Sequence, residues 1–290
     1  MARIVVGTDG SDNAAPAVRF AAALAAGGGA LLEIVYVYDE PATVNPGRIG
    51  APQYHNTEPV EGNAEKVVGR AAELAKSVAP DVEVEPSPMA GDVVQVLCDA
   101  GADADVLVVG SHARGDFSAL VHGSVSYDVL HKAACPVAVV HAAATDGGPV
   151  VVGTDGSEEG TAAVRWAAVA AGRSKTFLHI IHAWTVATPV ALGPMAVAAP
   201  SAVDANALND AADAVVAKAR EAASEAAPGV EITAASSEGV AIEVLEEASK
   251  GAAMLVVGAH QRGDLSSLLA GSTSHGLVRG ASCPVVCVPA

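Results

Sequence analysis

The chain is predicted to be an α/β protein of two tandem domains, each a doubly wound five-stranded parallel sheet. Three observations predict this. The sequence repeats itself: Ile4-Val5-Val6-Gly7-Thr8-Asp9-Gly10-Ser11 returns as Val150-Val151-Val152-Gly153-Thr154-Asp155-Gly156-Ser157. Each half alternates short β-branched runs with longer alanine-rich stretches. The runs are apolar at successive positions rather than alternate ones, as strands covered on both faces must be.

The repeat extends along the whole chain. Val108-Val109-Gly110-Ser111-His112 matches Val256-Val257-Gly258-Ala259-His260, Arg114-Gly115-Asp116 matches Arg262-Gly263-Asp264, and Ala134-Cys135-Pro136-Val137 matches Ser282-Cys283-Pro284-Val285. Matching blocks in one order indicate duplication of a whole domain. The seam falls in the small-residue stretch Ala142-Ala143-Ala144-Thr145-Asp146-Gly147-Gly148, which bounds the domains at 1–144 and 147–290. In the first half the strands are expected at Arg3–Gly7, Leu31–Tyr38, Val82–Pro86, Val106–Val109 and Val137–Val140. Helices are expected near Asn13–Ala26, Val60–Val78, Val93–Ala100 and Val121–Lys132, and the second half follows the same plan. Gly27-Gly28-Gly29 follows a helix, so it reads as a helix end. The closing strands, Pro136–Val140 and Pro284–Val288, are expected at sheet edges, where an apolar edge invites pairing.

Composition narrows the function. Of 290 residues, 51% are hydrophobic, enough for two cores and too many for a disordered chain. Sixteen Lys and Arg against 33 Asp and Glu leave a formal charge of −17. That argues against nucleic acid, which needs a basic footprint, and against anionic membranes. An anionic ligand must then be held by local dipoles or a bound cation. The apolar stretch from Val186 to Val203 is broken by Pro189, Gly193, Pro194 and Pro200, so no transmembrane helix is expected there. The start has only three apolar residues before Gly7 and Asp9, too few for a leader, and a cytoplasmic location is expected. Cys98, Cys135, Cys283 and Cys287 form no C-x-x-C pair and read as buried thiols. The nine histidines show no metal cluster.

Ligands of open α/β sheets sit at the carboxyl ends of strands. There Asp9 can accept hydrogen bonds from ribose hydroxyls or bind a cation; the alternative is that Asp9 and Ser11 only organise the turn. Ser11 is also placed to cap the following helix. Beyond Gly110 a glycine-containing loop runs to Gly123-Ser124-Val125, which opens a helix. Glycine lets backbone approach phosphate, and a helix N-terminus offers free N–H groups. The alternative is an ordinary strand–loop–helix connection. His112 and His260 are read as exposed loop histidines, with a ligand-contacting or acid/base role the alternative, and Arg114 and Arg262 as phosphate contacts or solvent-facing side chains. There is no G-K-[ST] and no G-x-S-x-G, which removes P-loop and α/β-hydrolase readings. Proline-rich connections after each second strand (Pro41, Pro46, Pro52 and Pro59; Pro189, Pro194 and Pro200) are lids or variable surface loops.

These residues resemble a tandem universal stress protein, of the adenine nucleotide alpha hydrolase-like type. The resemblance is carried by Val6-Gly7-Thr8-Asp9-Gly10-Ser11, the loop from Gly110 to Ser124 and Cys135-Pro136-Val137-Ala138-Val139-Val140. ATP-binding members show glycine, two residues, glycine, nine residues, then glycine with Ser or Thr. Gly110, Gly123 and Ser124 match, as do Gly258, Gly271 and Ser272; the middle glycine is Ala113 in one half and Gln261 in the other. The resemblance implies an ATP-binding protein of stress response or growth regulation. It places backbone of Val37 and Ala183 at adenine and Asp9 and Asp155 at ribose. Gly110, Gly115, Gly123, Ser124 and Val125 surround one set of phosphates, and Gly258, Gly263, Gly271, Ser272 and Thr273 the other. Mg2+ is expected with the ATP. The replaced glycine costs about 1–2 kcal/mol if it needed a left-handed backbone, roughly tenfold in affinity. Since Gln261 also adds bulk, the first half is expected to bind more tightly. The resemblance further implies pairing of the two halves as a pseudo-dimer through their last strands, with a homodimer of whole chains open. Alternatives to a nucleotide-binding regulator are a slow ATPase, with His112, Asp116, His260 and Asp264 the only candidates to position water, and a nucleotide-independent scaffold. No catalytic residue is assigned.

Overall fold

The computed structural model describes residues 2–38, 60–111, 124–185, 205–259 and 272–290. The chain divides into two compact units, Met1–Ala143 and Ala144–Ala290. The described residues of the first contain β1 (Arg3–Gly7), α1 (Ala15–Gly28), β2 (Leu31–Tyr38), α2 (Val60–Val78), β3 (Val84–Ala90), α3 (Val93–Gly101), β4 (Val106–Gly110), α4 (Ser124–Lys132) and β5 (Val137–Val140). Those of the second contain β6 (Val150–Gly153), α5 (Glu158–Arg173), β7 (Leu178–Trp184), α6 (Ala205–Ala226), β8 (Ile232–Glu238), α7 (Ala241–Ser249), β9 (Met254–Ala259), α8 (Ser272–Gly280) and β10 (Val285–Pro289).

Within the first unit the strand order is β3-β2-β1-β4-β5, and within the second β8-β7-β6-β9-β10. Every pairing inside a unit is parallel. The central strands are closed to water on both faces: Val5, Val6, Leu107, Val108, Val152, Leu255 and Val256 are fully buried. Ala17, Ala21 and Ala25 of α1, and Ala163, Ala167 and Ala171 of α5, are buried at the i, i+4, i+8 spacing that puts them on one helix face. Methyl groups there let each helix lie low on its sheet. This is how a chain with 3% aromatic residues closes its cores.

One strand differs from expectation. β3 runs Val84–Ala90 rather than Val82–Pro86. It is the outer strand of its unit, so it carries no two-faced apolar run to read. Leu32 N–H donates to the Glu83 carbonyl at 2.9 Å, and Gly91 N–H donates to Tyr38 at 3.1 Å. Odd-numbered residues from 83 to 91 therefore turn their backbone groups toward β2, and even-numbered ones face outward. Pro86 and Pro88 both fall on the outward side, where the missing N–H groups remove two of the donors an added strand would need. The register of the second unit sets Ala234 and Ser236 at the corresponding outward positions of β8. There Arg220 donates to the outward Ile232 carbonyl at 2.9 Å.

Two further differences between the repeats are local. Arg3 donates to Glu33, 6% exposed, at 2.9 Å and to the Ala100 carbonyl at 2.8 Å. The matching residues of the second unit are Pro149 and His179, so pair and counter-pair are replaced together. His179 instead shares a 2.7 Å hydrogen bond with Thr233, and burial lowers its pKa. After α1, Gly29 takes φ +61 and Ala30 N–H returns to Ala25, as expected for a helix-ending glycine. After α5 the same geometry falls on Lys175, at φ +52.

Candidate functional site

In each unit the strand order reverses between the first and fourth strands, which opens a crevice at their carboxyl ends. The turn leaving β1 is built from its own side chains. Asp9 Oδ1 accepts from Ser11 N–H at 2.9 Å and from the Ser11 hydroxyl at 2.6 Å. Asp155 Oδ1 does the same with Ser157, at 2.9 and 2.5 Å. Both aspartates thus organise the turn through Oδ1. Gly10 and Gly156 sit at φ +72 and +81, which a glycine permits without strain.

The helix starts differ. Ser157 Oγ also accepts from Gly160 N–H at 3.0 Å, capping α5. Ser11 makes no such bond, contrary to expectation. A 3-10 turn at Asp12–Ala14 intervenes, and α1 begins only at Ala15. Gly160 is matched by Ala14, and the missing methyl group explains the tighter second unit. A Cβ on Gly258 would lie 2.7 Å from the Glu159 carbonyl carbon and 2.9 Å from Gly160 N. A Cβ on Gly110 would meet nothing closer than the Asn13 carbonyl oxygen at 3.8 Å. The same motif glycine is therefore a packing requirement in one unit and not in the other.

The strand ladder leaves a gap at the predicted adenine positions. Thr8 N–H donates to Val35 at 2.9 Å and Thr154 N–H to Ile181 at 3.0 Å, the last rungs before β1 and β6 turn away. Val37 and Ala183, two residues on, turn their N–H and C=O toward the same side, past the end of the neighbouring strand. Such groups offer one donor and one acceptor at the crevice rim. His182 beside Ala183 bonds through Nδ1 to the Thr154 carbonyl at 2.8 Å; a carbonyl only accepts, so Nδ1 carries the proton.

In the second unit these features enclose a cavity of about 150 Å³ lined by Asp155, Ala183, Gly258 and Thr273 of the predicted residues. Its wall also includes Glu159, Gly160, Ile181, Ala241, Leu245 and Ser274, which sequence reasoning did not single out. Of these, Gly160 carried a legible signal: a glycine in the first helical turn, where the repeat has alanine. In the first unit Asp9, Val37 and Gly110 stand at the matching strand ends, and Val125 is the second residue of α4. Ser124 and Ser272 begin α4 and α8. Gly115, Gly123, Gly263 and Gly271 lie outside the described residues. So do Ala113, Gln261, His112, His260, Arg114, Arg262, Asp116, Asp264, the two proline-rich connections and the stretch from Val186 to Val203.

Among the described residues no group of three or more His, Cys, Asp or Glu could hold a metal ion. No described helix is long and apolar enough to cross a membrane. All four cysteines are free thiols. Burial pushes Cys135 up to about 11 and Cys283 and Cys287 to about 12, which leaves them protonated and unreactive at neutral pH.

The fold defines a duplicated, doubly wound α/β protein, with a described strand-end cavity in the second repeat. Residues 1–141 and 148–289 each match the universal stress protein family. A universal stress protein of Mycobacterium tuberculosis is 30% identical over 293 residues, covering 98% of this chain and 95% of the relative. The chain belongs to the universal stress protein family and carries two of its domains. The crystal structure of a universal stress protein from Archaeoglobus fulgidus shares the fold, with a TM-score of 0.63 at 18% identity, over 99% of this chain and 98% of that one. A universal stress protein solved in complex with cAMP aligns to 48% of this chain and 96% of its own, at 27% identity and a TM-score of 0.38.

Proposed function

We propose that each half binds ATP in its strand-end crevice and that the bound state regulates the protein's contacts in a cytoplasmic stress response. One observation carries this reading: the crevice of the second unit is lined by Asp155, Ala183, Gly258 and Thr273 together. These come from four separate places in the sequence and supply what a nucleotide needs. Ala183 presents backbone to an adenine edge, Asp155 a carboxylate to ribose, and Gly258 and Thr273 a strand end and a helix start to phosphates. The first-half set is Asp9, Val37, Gly110, Gly123, Ser124 and Val125, with Gly115 in the loop between. Gly263, Gly271 and Ser272 complete the second. Mg2+ accompanies the triphosphate, with phosphate oxygens and water as its main ligands and Asp9 or Asp155 the carboxylate at hand. It lowers the charge the acidic protein must accept.

Calorimetric titration with ATP and Mg2+ tests the reading. Two sites are expected, the first-half site tighter. Asp9→Ala is expected to weaken the tighter and Asp155→Ala the weaker. Absence of heat from the intact chain, or equal loss from each variant, refutes the assignment.

A further inference from the structure

We propose that the outer edge of β8 pairs antiparallel with β8 of a second copy of this chain, joining two molecules about a two-fold axis at Ala235. The backbone sets the register. Leu178 N–H donates to the Glu231 carbonyl at 2.9 Å, and Gly239 N–H to the Trp184 carbonyl at 2.9 Å. Odd-numbered residues of β8 thus turn toward β7, and Ile232, Ala234, Ser236 and Glu238 turn their N–H and C=O outward. Among the described residues β8 pairs with β7 only. A copy that sets 232 opposite 238, and 234 opposite 236, matches outward groups with outward groups along the whole strand. Ala235 then faces its own copy, and a methyl group leaves room at the axis.

The side chains agree with that register. Two residues of α6 stand over the edge: Arg220 donates to the Ile232 carbonyl at 2.9 Å, and Asp213 accepts from the Ser236 hydroxyl at 3.0 Å. Glu238 shares its sheet face with Ser236 and so lies on the α6 side. It is exposed and has no hydrogen bond or ion pair among the described residues. Opposite residues of an antiparallel pair also share a face. Glu238 of the copy therefore comes beside Arg220, and Arg220 of the copy beside Glu238. Because α6 lies over both β7 and β8, two β8 strands about 4.8 Å apart bring the α6 helices to about 10 Å, the spacing of packed helices. Ala217, exposed between Asp213 and Arg220 on the same helix face, keeps that approach clear. In the first unit Pro86 and Pro88 withhold donors at the matching outward positions, so pairing through outer strands stops at two chains.

Sedimentation velocity of the full chain tests this, from about 1 to 200 µM and at about 0.15 M salt, which screens the formal charge of −17 on each copy. A monomer–dimer equilibrium is expected. Ala234→Pro removes a donor from each strand and is expected to raise the dissociation constant at least about tenfold. Arg220→Glu and Glu238→Arg are each expected to raise it about tenfold, although they move the net charge in opposite directions. The double variant restores the pair and is expected within about threefold of the unaltered chain. On mild oxidation Ala235→Cys is expected to form an intermolecular disulfide, since its Cα atoms meet at about 4.5 Å; Thr233→Cys, facing Ser237, is not. A monomer at every concentration overturns the proposal. So does a dimer that survives both Ala234→Pro and the charge reversals, or cross-linking of Thr233→Cys as readily as of Ala235→Cys.

Discussion

Replacing Gly258 and Gly110 by alanine separates packing from ligand binding at one motif position. At Gly258 the new Cβ would lie 2.7 Å from the Glu159 carbonyl carbon, 2.8 Å from its oxygen and 2.9 Å from Gly160 N. All three are backbone atoms at a helix start, so no side-chain rotation relieves the overlap, and α5 must move off the sheet. Overpacking of this kind costs about 1–3 kcal/mol. At Gly110 the nearest atoms are 3.8 and 3.9 Å away, ordinary contact. That substitution is expected to be neutral, or to stabilise by about 0.5 kcal/mol through the unfolded chain. For a unit of this size a 2 kcal/mol loss lowers Tm by roughly 4–8 °C. Differential scanning calorimetry with parallel tryptophan fluorescence assigns the loss, since both tryptophans report on the second half. Equal melting of the two variants would refute the packing argument.

Lys175 holds φ +52 where the first repeat uses Gly29. Lys175→Gly is expected to stabilise the second unit by about 0.5–1 kcal/mol and Gly29→Ala to destabilise the first by about 1 kcal/mol, measured by urea denaturation. Ser157→Ala is expected to cost about 1 kcal/mol more than Ser11→Ala, because only Ser157 accepts from a helix N–H, Gly160, while both serines lose the bond to aspartate. Burial lowers the His179 pKa below its unfolded value near 6.5. The unfolded chain then binds more protons, so stability should fall as pH drops below about 6.5 and be regained on return. His179→Gln should flatten that part of a stability-against-pH curve, and an unchanged slope would show that His179 does not contribute.

The central strands were legible because burial on both faces writes itself as an unbroken apolar run, as in Ile4-Val5-Val6 and Val106 to Val109. The edge strand β3 was misplaced because Val84–Ala90 packs little and contains two prolines, so neither periodicity nor propensity marks it. The turn aspartates were visible as a repeated motif, but their part in the turn was not: sequence could not tell turn-maker from ligand, and the structure shows Oδ1 of each engaged in the turn. The Ser11 cap failed because capping depends on the helix beginning at once, and Ala14 in place of glycine interposes a 3-10 turn. Glu159 and Leu245 were missed for a simpler reason. They are far from the motif in sequence, or look like ordinary helix residues, and only the fold brings them to the crevice.

The two prolines of β3 have a bearing on how the protein survives in a crowded or partly denatured state. With imino nitrogens at 86 and 88, the outermost strand of the first repeat withholds two central donors from a foreign chain. The second repeat keeps amide hydrogens at Ala234 and Ser236. Sheet growth by an extended intruder, whether a damaged neighbour or a designed peptide, has its template in that repeat, and a proline at either position would be the natural guard against it.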